Sequence, residues 1–210
     1  MKFIWIRHAQ TIWNTQHKTQ GRTDTPLDET GLMQAEHLAE RLKNSGLNAI
    51  YSSPLQRALQ TAQPLAKATG VPTTPDERLT EIDFGEWEGL RFDEIAALFP
   101  ETFEHWRVRP FTAEIPGAER PKEVLARMRD FFEHISAASD DTVAIVSHTL
   151  PLKLMIAHLI GLPYDRIHSL RLDNTGTTET EVRSDGMITL VHSNNTSHLL
   201  EGMLTWQTLR

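Results

Sequence analysis

The chain has no cysteine, which excludes disulfides, thiolate zinc sites and cysteine nucleophiles. It also lacks any apolar run near the roughly 20 residues a membrane-spanning helix needs. The apolar stretch over residues 3–6 stops at Arg7 and is too short for the core of a signal peptide. Positive charge is scarce as well: 21 Lys and Arg face 28 Asp and Glu, a formal net charge of −7 over 210 residues. An acidic chain without basic runs is a poor nucleic-acid binder. Repeats, low-complexity segments and linkers are missing too. Together these absences predict a single domain over residues 1–210, cytoplasmic, with neither membrane nor nucleic acid as partner. They also set a condition: an anionic substrate requires a few arginines gathered into a local positive pocket against the overall field.

What is present is ordered by its periodicity. Residues 3–6 and 143–146 are bare apolar runs that predict buried strands, and residues 49–52 predict a third. Residues 30–44 predict a helix with Leu32, Ala35, Leu38, Ala39 and Leu42 on one face. Ser53-Pro54 has the form of an N-cap followed by proline at the first helical position. The helix expected there carries Leu55, Ala58, Leu59, Ala62, Leu65 and Ala66 and stops at Gly70, with Pro64 expected to kink or shorten it. Further helices are predicted over residues 92–99, 121–138 and 152–160. Residues 177–183 and 187–193 flank Ser184-Asp185-Gly186 and predict a β-hairpin. Strands alternating with helices, then a hairpin, imply an α/β sandwich with a mostly parallel sheet. The mainly helical stretch from about 80 to 138 is expected as an insertion capping one end of that sheet.

Three of the predicted strands end in cationic or potentially cationic residues. Ile4-Trp5-Ile6 runs into Arg7-His8, Ala144-Ile145-Val146 into Ser147-His148, and Ala49-Ile50-Tyr51 leads through Ser52-Ser53-Pro54 to Arg57. Taken singly, each has an ordinary structural explanation. Ligands of open α/β sheets bind outside the carboxyl ends of the strands, so parallel neighbours would bring two arginines and two histidines to one spot. That is a pocket for a dianion, with phosphate as the obvious candidate.

The strings around these residues resemble the histidine phosphatase superfamily, also called phosphoglycerate mutase-like. They are Arg7-His8-Ala9-Gln10-Thr11-Ile12-Trp13-Asn14, Gln20-Gly21-Arg22-Thr23-Asp24-Thr25-Pro26-Leu27, Tyr51-Ser52-Ser53-Pro54-Leu55-Gln56-Arg57-Ala58, Leu79-Thr80-Glu81 through Gly89, and Val146-Ser147-His148. The resemblance implies a three-layer α/β/α fold and a metal-independent phosphomonoesterase without cofactor. His8 would be the nucleophile, its other ring nitrogen held by a backbone carbonyl so that the attacking nitrogen stays neutral. Arg7, Arg57 and a cationic His148 would donate to the phosphate oxygens. Glu81 matches the general acid that protonates the leaving alcohol and then activates water. Asn14, Gln20, Gly21 and Thr149 match or adjoin substrate-binding positions. Ala9 and Thr149 stand where glycine is usual, and a methyl at Ala9 would crowd a loop that needed a positive φ.

Within the family, Pro116-Gly117-Ala118-Glu119 resembles the phosphatase branch rather than the mutases. The stretch from Glu81 to Gly89 resembles α-ribazole and broad-specificity phosphatases. Ser147-His148-Thr149-Leu150-Pro151 with Asp173-Asn174 is similar to metal-independent phosphoserine phosphatases, although Phe84 replaces their usual histidine. Aromatic Phe84, Trp87, Trp106 and Phe111 are expected either as a substrate rim or as the insertion's own core. The expected partner is a small phosphate ester. A cofactor-dependent phosphoglycerate mutase and a non-catalytic phosphate-binding subunit are the alternatives. A homodimer, the substrate's identity and the roles of His192 and His198 stay open.

Overall fold

The computed structural model describes residues 1–137 and 142–204. Its strands are β1 (Lys2–Arg7), β2 (Ala49–Ser52), β3 (Thr73–Pro75), β4 (Thr142–Ser147), β5 (Thr177–Val182) and β6 (Ile188–Asn195). Its helices are α1 (Ile12–Thr15), α2 (Glu29–Leu42), α3 (Gln56–Thr69), α4 (Phe92–Leu98), α5 (Pro100–Val108), α6 (Pro121–Ser136) and α7 (Thr149–Ile160). The strands form one six-stranded sheet in the order β3-β2-β4-β1-β5-β6. β3, β2, β4 and β1 are parallel, while β5 and β6 run antiparallel as the expected hairpin.

The alternation of side chains along a strand builds the layers. From β1 and β4, Ile4, Ile6, Ala144 and Val146 face α2 and α3, where they bury Leu38, Leu42, Ala58, Ala62 and Leu65. Phe3, Trp5, Val143 and Ile145 face the other way, onto α6 and α7, among Phe131, Leu154 and Met155. This is the expected three-layer α/β/α sandwich. Each fully buried Leu or Phe in these layers contributes about 1.5–3 kcal/mol through removal from water. The second half of the stretch from 80 to 138, helix α6, lies on the sheet face itself: Phe132 packs 4.9 Å from Phe3, ring centre to ring centre, and Phe131 edges onto Tyr51.

Several local expectations are corrected. The helix after β2 begins at Gln56, two residues later than Ser53-Pro54 predicts, and has no side-chain cap; the Ser53 hydroxyl is used elsewhere. Pro64 lies inside α3, which runs on to Thr69 and ends in the left-handed Gly70. Helix α7 begins at Thr149, not at residue 152, because Pro151 falls in the first turn, where its missing N–H has no helical partner to lose. Between the helices predicted over residues 92–99 and 121–138 lies a further, unpredicted helix, α5, with Pro100 at its first position. Strand β3 has no apolar run to announce it; it lies on the sheet edge and ends in a proline, which an edge tolerates. Ala138, the expected end of the helix that finishes at Ser136, lies outside the described residues.

Strand order places the site. β1 and β4 are neighbours although the chain visits β2 and β3 between them, so their carboxyl ends open side by side at a crossover point. The backbone N–H of His8 donates to the Ser147 carbonyl at 2.9 Å, and that of Ser53 to the Val146 carbonyl at 2.9 Å. Three strand ends are thereby tied at one level.

Candidate active site

The structure brings Arg7, His8, Arg57, Glu81 and His148 together at these strand ends, all deeply buried. Arg57 and His148 are 0% exposed, and Arg7, His8 and Glu81 are 4%, 3% and 7% exposed. The rings of His8 and His148 stand 5.2 Å apart.

His8 has a defined tautomer. Its Nδ1 lies 2.7 Å from the Ala9 carbonyl oxygen. A carbonyl only accepts, so Nδ1 carries the proton and Nε2 the lone pair. Burial, then Arg57 and Arg7, hold the imidazole well below its ordinary pKa, so it is neutral at pH 7. Ala9 fits without strain: it is outside the positive-φ residues and packs with Leu27 and Ala35.

His148 differs from expectation. Arg57 Nε donates to its Nδ1 at 3.2 Å, and its Nε2 lies 2.7 Å from Ser53 Oγ. Nδ1 is therefore the acceptor and Nε2–H the donor. Burial, with Arg57 next, holds the ring well below the usual histidine range. The group expected as an imidazolium is neutral, and both its nitrogens are engaged by the protein. The positive charge comes from the arginines. Burial brings Arg7 down to about 10, with Glu81 and Asp173 opposing the shift, so it stays cationic at neutral pH.

Arg57 is held as a rigid fork. Nη1 donates to the Thr23 carbonyl at 2.9 Å and Nη2 to the Gly21 carbonyl at 2.7 Å. With Nε on His148, three of five N–H donors are engaged, which leaves two for a ligand. Gly21 contributes through its backbone: φ is +55°, and a Cβ would meet Glu88 Oε1 at 1.8 Å. Glu88 in turn accepts from the backbone N–H groups of Arg22, Thr23 and Phe84, so it fixes the loop that carries those carbonyls.

Glu81 caps helix α7. Its Oε2 accepts from the Thr149 N–H at 3.2 Å, and Oε1 from those of Ile82 at 3.1 Å and Leu150 at 3.3 Å. Burial raises its pKa, with Arg57, the Ile82 N–H, Arg127 and Arg7 opposing. Its main chain is held by Arg127, which donates to the Glu81 and Arg78 carbonyls and is paired with Glu119 at 2.8 Å. The Pro-Gly-x-Glu element thus supplies the anchor for Arg127. Ser147 Oγ adds a bond to the Leu79 carbonyl at 2.7 Å.

Asn14 and Gln20 are locked at the opposite wall. Asn14 Oδ1 accepts from the Thr11 N–H at 3.0 Å, in a capping box, and from Asn174 Nδ2 at 3.3 Å. Gln20 Oε1 accepts from the Thr11 and Thr25 hydroxyls, which leaves its amide NH₂ as the group to offer. Asn174 also donates to the His8 carbonyl, and Arg7 to the Leu172 carbonyl, so the segment before β5 clamps the catalytic strand end from its other side.

Arg7, His8, Arg57 and Glu81 wall one cavity of about 460 Å³, with His148 buried behind its lining, and in it Arg7, Lys18, Arg57, Arg91, Arg107 and Lys153 outnumber Glu81 and Asp93. The local positive pocket demanded by an acidic chain is there. Asn14, Gln20, Gly21 and Thr149 all line it. Phe84, Trp87 and Trp106 line it too, while packing edge-on against one another; they are both rim and core. Phe111 does not line it; it stacks on Tyr164 and packs, partly buried, against the hydrophobic core. Phe92, Phe103, Lys153 and His168 also line the cavity; sequence reading missed them, and only the helical spacing of Lys153 after Thr149 signals one of them. Among the described residues no group of three His, Asp or Glu stands ready for a metal ion, and no helix is long and apolar enough to cross a membrane.

The family model described as histidine phosphatase superfamily, branch 1, matches residues 3–196. The chain belongs to the histidine phosphatase superfamily. Phosphoserine phosphatase 1 of Hydrogenobacter thermophilus is 36% identical over 175 residues, 83% of each chain. The probable phosphoglycerate mutase GpmB of Yersinia pestis is 35% identical over 174 residues, 80% of this chain and 79% of that one. The solved structure of Bacillus stearothermophilus YhfR superposes with a TM-score of 0.88 at 34% identity, covering 94% of this chain and 98% of that one. Within the superfamily this chain is a phosphatase, and its sheet and helices are those of the phosphoglycerate mutase-like fold.

Proposed function

We propose that this histidine phosphatase hydrolyses a small phosphate monoester without metal or cofactor, through a phosphohistidine on His8. The observation that carries the reading is the His8 tautomer: a neutral imidazole with its Nε2 lone pair unprotonated, between two buried guanidiniums. Nε2 attacks phosphorus in line, forming the N–P bond as the ester P–O bond breaks. Arg7 and the two remaining N–H groups of Arg57 hold the non-bridging oxygens, where stabilising charge is most of what phosphoryl transfer asks of a protein. His148 orients Arg57, and its Nε2–H turns from Ser53 Oγ to a phosphate oxygen. Asn14, Gln20 and Thr149 complete the shell, with Gly21 holding Arg57 through its carbonyl.

Glu81, with its raised pKa, protonates the departing alkoxide. As carboxylate it then takes a proton from the water that attacks the phosphohistidine, which releases inorganic phosphate and restores His8. Of the stretch expected as a cap, the part before α6 closes this chemistry from one side of a single domain. A phosphoserine-like substrate is consistent with the relative named a phosphoserine phosphatase, although Phe84 faces the cavity as an apolar ring. The mutase reading draws on the relative named GpmB. Hydrolysis of p-nitrophenyl phosphate in EDTA tests the proposal: turnover by the wild type and none by His8→Ala is expected. Phosphoryl exchange that requires bisphosphoglycerate, with no net hydrolysis, would favour the mutase.

A further inference from the structure

Beyond the phosphate-binding end the cavity continues into a chamber walled by Phe84, Phe103 and Trp106. The cations that reach this chamber differ in how they are neutralised. Arg91 is paired with Asp93 at 2.9 Å and Arg107 with Glu104 at 2.8 Å. Lys18 lies 5.6 Å over the Trp13 ring. Lys153 has no hydrogen-bond or ion-pair partner among the described residues.

Lys153 also has a defined place. It follows Thr149 by four residues on α7, so it stands about 6 Å, just over one helical turn, further along the same face. Thr149 holds Glu81 through its N–H, which puts Lys153 one step beyond the acid–base group. Burial and the nearby Arg7 bring the amine down to about 8, against an opposing pull from Glu81, and Lys153 in turn depresses His168. The Nε2–H of His168 donates to the Trp106 carbonyl at 3.0 Å. Lys153 therefore lines the same cavity as the phosphate-binding arginine and the aromatic wall, with Arg7, Glu81 and His168 as its ionisable neighbours. An ammonium largely withdrawn from water without a counterion is unfavourable. An incoming anion relieves that state, and the apolar walls strengthen the pair.

We propose that Lys153 is a specificity-determining residue that pairs with a second acidic group of the substrate, so that the preferred esters carry a carboxylate a few bonds from the phosphate oxygen. This rests on the phosphatase reading above. The one-turn spacing matches phosphate esters of two- and three-carbon hydroxy acids, and the aromatic wall beyond Lys153 limits longer chains.

The test uses a matched pair of esters, 3-phosphoglycerate and glycerol 3-phosphate, which share a skeleton and differ in a carboxylate against a hydroxymethyl group. Phosphate release by the full chain is expected to favour the acid at least tenfold in kcat/KM. Lys153→Met is expected to reduce that ratio about tenfold, and Lys153→Arg to keep most of it. If the methionine variant does not fold, the wild-type ratio read against pH serves instead. It is expected to fall as pH rises through about 8, because titration of His8 and Glu81 affects both esters and cancels. A wild-type ratio near one, or a ratio indifferent to Lys153→Met and to pH, overturns the proposal while hydrolysis of p-nitrophenyl phosphate keeps the phosphatase reading standing. No hydrolysis of any of the three esters overturns both.

Discussion

The two ends of the cavity are built differently. At the phosphate end, Arg7, His8 and His148 come from the carboxyl ends of adjacent strands and Arg57 from the first turn of α3, and backbone carbonyls and neighbouring side chains fix each of them. In the chamber, the lining comes from a short turn at Gly85–Trp87, from α4 and α5, and from one face of α7. The first end is rigid because a sheet sets its spacing. The second depends on short helices and turns whose aromatic side chains pack edge-on against one another. Chemistry is placed where geometry is fixed, and selection where shape is adjustable.

Substitutions at the two ends should therefore separate rate from choice. The largest effect is expected for His8→Ala, with hydrolysis of every ester reduced on the order of 10⁴-fold or more while the melting temperature stays within a few degrees. Residual activity near wild type would remove His8 as nucleophile. Glu81→Gln is expected to slow transfer of the phosphoryl group to His8 from alkyl esters about 10²–10⁴-fold and from p-nitrophenyl phosphate, read as the first-turnover burst of p-nitrophenolate, far less, since p-nitrophenolate leaves without a proton. Because the Glu81 pKa is raised in the folded site, alkyl-ester turnover should decline as pH climbs through that pKa, and Glu81→Gln should abolish this alkaline limb. Equal slowing of both esters would mean that Glu81 does not protonate the leaving group.

At the chamber end, Phe84→Ala is expected to alter the ratio of KM values for phenyl and methyl phosphate by about the one to three kcal/mol that a buried apolar contact is worth, with a smaller change in inhibition by inorganic phosphate. The same change in both would merge the two ends into one. The smallest effect is on stability. The folded pKa values of His8 and His148 lie below the unfolded value, so the unfolded chain takes up protons first. Folding stability should be intact above pH ~6.5 and should fall as pH drops below it. His148→Asn should flatten that dependence, as read by urea denaturation at pH 5 and 7.

The difference between the ends also explains what was legible in the sequence. The strand ends were readable because an apolar run that stops at Arg7-His8 or Ser147-His148 states both the element and its functional terminus. The neighbourhood of β1 and β4 required only the usual topology of open sheets. The neutral state of His148 was not readable, because it comes from burial beside Arg57, and its Nε2 partner is a Ser53 hydroxyl that the local pattern assigns to a helix cap. The chamber was half readable. Phe84, Trp87 and Trp106 announce an aromatic cluster, yet their double use as core and lining depends on how α5 folds back over the sheet. A run containing Pro100, Trp106 and Pro110 hides that helix. Lys153 is a charged residue on the mostly apolar helix α7, a signal that gains meaning only when the Glu81 carboxylate is found accepting from the first N–H groups of that helix.

The central claim is a covalent one, that phosphorus is bonded to His8 during turnover. The direct measurement is acid-free rapid quenching of the enzyme with excess p-nitrophenyl phosphate, followed by intact-mass and peptide analysis under alkaline conditions that preserve phosphohistidine. The account predicts one phosphoryl group on the peptide that contains His8, absent in His8→Ala and accumulating in Glu81→Gln, where water activation is slowed. Steady turnover with an unmodified His8 peptide at every quench time would contradict it.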